Sequence, residues 1–537
     1  MASTAGSGSS RAALLVIALP LLSWPGVGLG GDWKWTPRLT LEERYSDNVT
    51  LRPKGQEKRD WITHISPGLG LQREGRKLRV DVDYRLDGYL YANDNDRSRV
   101  RSNLNGQASA MLLEDWVYLD ATARASQELI DYTSGIGLGD AVGAQNTRQV
   151  YGYSLSPYLK HRFGSDATVE LRVRRDQYYS GGGTGPSDSG ANQYSIDVRS
   201  GNNFFPLSWS LSYDRRETDY ESSADTDSEQ AFADGRLQLQ RGFGLIAQAG
   251  MQKGNFPGAT NRIRDFSYYG LGVYYTPGRR FSGEIAYNFS DSGNFVSGSV
   301  TLQPTLRTTL KASSTQRNFG RSHSLSLNHR TRKSSWGLIY QERLTSYDQL
   351  VFQKVFDLLD CGGGLFVMVP PGTSLPGCTP LSNAALASLT SLGLTPFLPV
   401  SLQQTYVNKG LTGLFSYTLR RASVSLSLFD TRQEYQGTGA VGREDRRTGL
   451  QAALSLRPGE RTTLTLSTGV SHLEVDDPNN AGNNREDDFW NIGLTLTHRF
   501  QPDVSGSLEL RHQQRDSNLS NQDYTENAVA ARLNMRF

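Results

Sequence analysis

The sequence predicts an all-β fold: a single antiparallel transmembrane β-barrel of about 24 strands (range roughly 18–26), with short periplasmic turns and long extracellular loops. Three observations predict it. The last ten residues alternate without a break, with Val529, Ala531, Leu533, Met535 and Phe537 on one face and Ala528, Ala530, Arg532, Asn534 and Arg536 on the other. Apolar-out, polar-in with period two marks a strand between lipid and water. The same alternation recurs along the chain, and its connections alternate between short and long.

Composition agrees. Only 37% of the 537 residues are apolar, and no run beyond the N-terminal stretch could form a membrane-spanning helix. The 55 glycines, 25 tyrosines, 20 phenylalanines and 8 tryptophans suit tight turns and aromatic girdles. A formal charge of +3 gives no support for nucleic-acid binding.

Residues 1–30 read as an export signal. Arg11 is the positive start, Ala12 to Leu22 is an apolar core too short to span, and Gly28 and Gly30 suit cleavage after Gly30. Residues 31–537 are then the barrel, in the outer membrane of a Gram-negative bacterium.

The strands follow in order. Leu39, Leu41 and Tyr45 open the pattern. Leu78 to Leu86 alternates apolar residues with Arg79, Asp81, Asp83 and Arg85, and Val169, Leu171 and Val173 alternate with Glu170, Arg172 and Arg174. Later runs include Tyr269 to Tyr275, Leu450 to Leu456 and Trp490 to Leu496. Short connections such as Glu74-Gly75-Arg76 and Pro458-Gly459-Glu460 carry turn residues, while Glu217 to Glu229 and Asp476 to Asp488 are long and polar. Pro67 and Pro157 fall inside alternating runs. A closed barrel has no free edge for a residue lacking an N–H, so a bulge or strand end is expected at each.

The stretch from about Ser346 to Gln404 breaks the pattern and reads as one long loop, with Ala384 to Leu392 weakly helical. It holds both cysteines, Cys361 and Cys378. In an exported chain one disulfide is expected, with two free thiols the alternative.

The barrel is expected to begin by about residue 36, which would leave no room for an N-terminal plug domain and argues against a TonB-dependent receptor. A barrel this wide without a plug is a conduit. Its expected lining includes Arg79, Asp81, Asp83, Arg85, Glu170, Arg172, Arg174, Arg532 and Arg536. Both signs are present, which suits a hydrated glycan and gives no strong ion selectivity. The aromatic Phe537 is expected to be the signal read by the barrel-assembly machinery.

Enzyme motifs are absent. Gly181 to Gly185 lacks the Gly-Lys-Ser/Thr ending of a phosphate loop and reads as a surface loop. Ser324 with His323 and His329 could suggest a hydrolase, but pore or loop polar residues explain them. Asp476-Asp477 and Asp487-Asp488 lack the spacing of a calcium loop and read as a solvated surface loop. No catalytic, cofactor-binding or metal-ligating set is expected.

Two further segments carry a resemblance. Glu43-Arg44-Tyr45-Ser46-Asp47-Asn48-Val49-Thr50-Leu51 and Asp60-Trp61-Ile62-Thr63-His64-Ile65-Ser66-Pro67-Gly68-Leu69 resemble the opening of the PEP-CTERM system-associated outer-membrane protein family. The resemblance implies a barrel porin associated with exopolysaccharide export or exosortase-linked surface assembly. Its partners would be outer-membrane lipid and lipopolysaccharide, the assembly machinery and separate periplasmic polysaccharide-export proteins. A general diffusion porin is the alternative; an outer-membrane enzyme or an adhesive surface protein ranks below both.

Overall fold

Alternating segments satisfy their backbone groups only by pairing laterally, and in a membrane the row of pairs must close on itself. A computed structural model describes residues 33–129, 147–180, 188–221, 224–255, 263, 265–345, 357–360, 366–369, 379–380, 405–436, 442–478 and 484–537. The expected signal (1–30), Gly181 to Gly185, Cys361 and Cys378, and the run Ala384 to Leu392 lie outside these residues.

The strands are β1 (Lys34–Ser46), β2 (Asp60–Glu74), β3 (Leu78–Tyr91), β4 (Arg99–Leu113), β5 (Val117–Leu129), β6 (Thr147–Phe163), β7 (Ala167–Ser180), β8 (Ser189–Ser200) and β9 (Leu207–Tyr220). They continue with β10 (Thr226–Gln240), β11 (Phe243–Asn255), β12 (Phe266–Gly278), β13 (Phe281–Ser290), β14 (Phe295–Thr305), β15 (Thr308–Arg317), β16 (Gly320–Arg330) and β17 (Ser334–Thr345). Three short strands, β18 (Asp357–Asp360), β19 (Phe366–Val369) and β20 (Thr379–Pro380), come next. The last are β21 (Tyr406–Thr418), β22 (Ala422–Tyr435), β23 (Glu444–Leu456), β24 (Thr462–Asp476), β25 (Arg485–Gln501), β26 (Val504–Ser517) and β27 (Tyr524–Arg536).

Among the described residues, 24 of these strands form one sheet in which each pairs antiparallel with its sequence neighbours. β17 pairs with β21, and β1 pairs with β27, from Arg38↔Arg536 to Ser46↔Ala528, which closes the barrel. The remaining three make a separate small sheet, of which β19 lies beside β16, β17 and β21. The fold is therefore the expected closed antiparallel barrel. Tight turns such as 75–77, 164–166 and 279–280 lie at the end that holds the barrel's first and last residues, and the long connections at the other.

Alternation sets the two faces. Leu271, Tyr269, Ile285, Leu508 and Leu510 stand exposed on the outside, where lipid covers them. Aromatic pairs mark both ends of this belt. Tyr45 and Trp61 lie 5.2 Å apart near the extracellular end, and Trp336 and Phe415 4.6 Å apart near the periplasmic end. An apolar exterior on a closed barrel makes this an outer-membrane protein.

The expectation at the two prolines is corrected. Neither Pro67 nor Pro157 causes a bulge or ends a strand. Beside Pro67 the pairs to β3 run Ile65↔Gly88 and then Gly68↔Arg85, leaving two residues unpaired while the register holds. Beside Pro157 the pairs to β7 run Leu155↔Arg175 and then Tyr158↔Arg172, with the same two-residue gap. The opposite neighbours, β1 and β5, keep pairing through both prolines. A proline removes one donor, and the loss falls on one side of the strand. The preceding serines compensate. Ser66 Oγ donates to Asp87 at 2.6 Å, and Arg172 Nη1 donates to Ser156 Oγ at 3.0 Å.

Candidate functional site: the lumen wall and an inward loop

A ring of 24 strands spaced about 4.8 Å apart and tilted about 40° has a backbone radius on the order of 24 Å. Side chains reach only part of that distance. The lumen must be either water-filled or occupied by chain folded into it, and the functional surface is the inner wall.

Every lining residue expected from the sequence lies on this inner face. On β7, Arg172 bonds Asp120 at 2.9 Å and Glu170 at 3.0 Å, and its guanidinium lies 3.7 Å over the Tyr158 ring. Lys160 completes the group, 3.1 Å from Glu170. Arg174 and Arg216 both bond Asp176, at 2.6 and 2.8 Å. On β3, Arg85 reaches Asp87 at 3.1 Å, and Asp83 pairs with Arg38 of β1. Arg79, Asp81 and Arg536 share the face nearer the periplasmic end. Arg532 bonds Glu42 at 2.6 Å.

Around the closure the pairs become continuous. Glu42 also accepts from Arg44 Nε at 2.9 Å. Arg44 lies 3.7 Å from Glu509, and Arg511 lies 3.7 Å from Glu509 and 3.4 Å from Glu526. On this arc the charges of one strand are neutralised by those of its neighbours.

Sequence reasoning missed the second feature, which lies in the segments that carried the family resemblance. The β1–β2 connection, residues 47–59, folds inward over the lumen face. Asn48 organises it. Its Nδ2 donates to the carbonyls of Arg52 at 2.8 Å and Thr525 at 3.0 Å, and its Oδ1 accepts from Arg52 N at 3.1 Å. This Asx-type bonding replaces strand pairing where the chain must reverse. Val49 packs on the inward residues Ile62, Tyr89 and Tyr91. Leu51 packs on Tyr524 and Phe489 from the other side of the closure. Leu51 holds φ +52°, a left-handed conformation that costs a leucine on the order of 1–3 kcal/mol. Burial of its side chain and the Asn48 bonds hold it there. The Asp47-Asn48-x-Thr50 string was the legible signal for such a turn.

Below this loop, Asp87 is 1% exposed and collects His64 Nε2 at 2.8 Å, Ser66, Arg85 and Asn103. Asp60, also buried, accepts from the backbone of Trp61 and from the backbone and side chain of Asn93.

Two sequence-level groupings dissolve. Ser324 faces the lumen, 2.7 Å from Ser313, while His323 and His329 face outward, His329 lying 2.8 Å from Thr308. Period two puts Ser324 and His329 on opposite sides of the wall. The acidic loop expected across Asp476 to Asp488 is also corrected. Asp487 belongs to β25, is buried, accepts a hydrogen bond from Arg515 at 2.7 Å and forms an ion pair with Arg485 at 2.6 Å. Asp488, its neighbour, points outward to His472 at 2.9 Å. Among the described residues no cluster has the makings of a metal site.

No family model and no curated relative matches the sequence. Solved structures with a similar fold include the siderophore receptor PirA from Pseudomonas aeruginosa, at 11% identity and TM-score 0.41, covering 94% of this chain and 80% of that one. The FrpB iron transporter from Neisseria meningitidis aligns at 10% identity and TM-score 0.45, covering 94% and 83%. PirA from Acinetobacter baumannii aligns at 7% identity and TM-score 0.43, covering 93% and 80%. At these values the likeness carries no statement about what this lumen conducts.

Proposed function

We propose that this outer-membrane barrel is a conduit for exopolysaccharide leaving the periplasm, or for a surface-assembly step linked to such export. The observation that carries this reading is the lumen wall, where hydroxyls and amides interleave with charges that are paired on β7 and around the closure. Such a surface exchanges many weak hydrogen bonds with a hydrated polymer and holds it tightly at none. On this reading residues 1–30 are removed on export and Phe537 is read during assembly. Lipopolysaccharide surrounds the barrel, and separate periplasmic export proteins deliver the polymer.

Deleting the gene and measuring secreted polysaccharide tests the proposal. Loss of secreted polymer with its synthesis intact is expected; unchanged export removes it. Steady open conductance of the purified protein, with small sugars passing freely and export unaffected in the deletion strain, would reassign the barrel as a general diffusion porin.

A further inference from the structure

The lumen wall is not uniform. From β14 to β17 and on through β21 and β22, no Asp or Glu side chain lies on the inner face. That face carries Ser297, Ser299, Ser313, Ser324, Gln341 and comparable hydroxyl and amide residues. The carboxylates of these strands point outward and are bonded there. Glu342 accepts from Tyr340, Asp430 from Arg446 at 3.1 Å, and Glu434 from Lys409 at 2.6 Å.

The charged residues on the inner face of this arc are Lys311, Arg317, Arg330 and Arg343. Among the described residues, Lys311, Arg317 and Arg343 have no carboxylate partner. Lys311 is exposed to the lumen. The Arg317 guanidinium lies 5.3 Å over the Phe232 ring. In Arg343, Nε and Nη2 are buried without an acceptor, an expensive state for a cation.

Register spreads these cations along the wall. Arg330 ends β16 at the periplasmic side, Lys311 lies opposite Ser326, and Arg317 and Arg343 lie near the extracellular end. Lys311 and Arg317 are six residues apart on one strand, roughly 20 Å.

The periplasmic turns of the same side are basic as well. Arg279, Arg280, Arg332, Lys333, Arg420 and Arg421 occupy them, and Glu460 is the one carboxylate among the turns from 279 to 461. Basic groups at a pore entrance followed by a carboxylate-free wall make a field that attracts and guides anions.

We infer that the inner face of β14–β17, β21 and β22 is a track for an anionic polysaccharide, one bearing carboxylates on its sugars, which enters past the basic turns and moves along Lys311, Arg317 and Arg343. This rests on the conduit reading and names the chemical class of its polymer. Hydroxyls and amides bond the sugar rings, Lys311 stands open to the lumen, and a passing carboxylate supplies the acceptor that the buried Arg343 nitrogens lack.

The test uses the full-length protein in planar bilayers, with oligogalacturonate added on the periplasmic side, maltohexaose as the neutral control and inorganic phosphate as the small-anion control. Wild type is expected to be anion-selective in a KCl gradient and to be blocked by oligogalacturonate at about tenfold lower concentration than by maltohexaose. Lys311→Gln/Arg317→Gln/Arg343→Gln should erase that difference and the selectivity. Lys311→Arg/Arg317→Lys/Arg343→Lys should keep both. Heat-modifiable gel mobility checks that each variant is folded. Equal block by both sugars, block by phosphate matching that by oligogalacturonate, or unchanged behaviour in the glutamine variant overturns the inference. The two readings fail separately. Gene deletion that stops export of a polymer lacking acidic sugars leaves the conduit standing and sinks the track; unchanged export sinks the conduit, whatever the bilayers report.

Discussion

Glu42 of β1 and Arg532 of β27 lie 490 positions apart in the chain and form a 2.6 Å ion pair on the lumen face. The same carboxylate holds Arg44, and both acid and Arg44 are buried. The barrel's first and last strands are thus joined by charge as well as by backbone.

Removing Glu42 takes from Arg532 its carboxylate and leaves the buried Arg44 with only the more distant Glu509 at 3.7 Å. Breaking a buried pair in this way costs about 3–5 kcal/mol. Glu42→Ala is expected to lower the temperature at which the folded, fast-migrating gel band is lost. Pairing it with Arg532→Ala should recover part of that loss.

Asn48 ties the inward loop to β27 through Thr525. Asn48→Ala removes these bonds in a buried setting, at a cost of about 1–3 kcal/mol per stranded group. With Leu51 already in a strained backbone state, the loop should leave its seat. Single-channel recordings are expected to show higher and noisier conductance than wild type.

Ser66 and Pro67 test the account of the two-residue gap. Ser66→Ala strands one acceptor position of the buried Asp87 and should destabilise by about 1–3 kcal/mol in denaturant titration. Pro67→Val restores a donor beside β3 and should be neutral or stabilising. A large loss for Pro67→Val would show that the proline shapes the strand.

Leu494 and Thr495 are sequence neighbours on opposite faces. Leu494→Arg puts a cation in the hydrocarbon and should cost about 2–4 kcal/mol if it lies near the midplane. Thr495→Arg enters the water-facing wall and should fold normally. Comparing folded yield in detergent for the two variants checks the assignment of faces.

Much of this molecule was legible in the chain. The alternation at Leu78 to Leu86 and Val169 to Val173 placed each strand and each face correctly, because side-chain direction in a strand depends only on parity. The same rule separates Ser324 from His329. Pro67 misled because a proline's cost depends on which neighbour its missing N–H would have met. Asp487 misled because two adjacent aspartates read as solvated until a strand turned one of them inward.

Local order therefore determined the strands, the lipid belt, the turns and the list of inward charges. Closure decided the rest. It set which charges meet, as Glu42 meets Arg532, and that the β1–β2 connection lies against Tyr524. It also set that Lys311, Arg317 and Arg343 share an arc from which every carboxylate is turned away. Period two is a property of neighbouring residues and is written along the chain. The composition of one side of a lumen depends on lateral pairing among distant segments, and that exists only once the ring is complete.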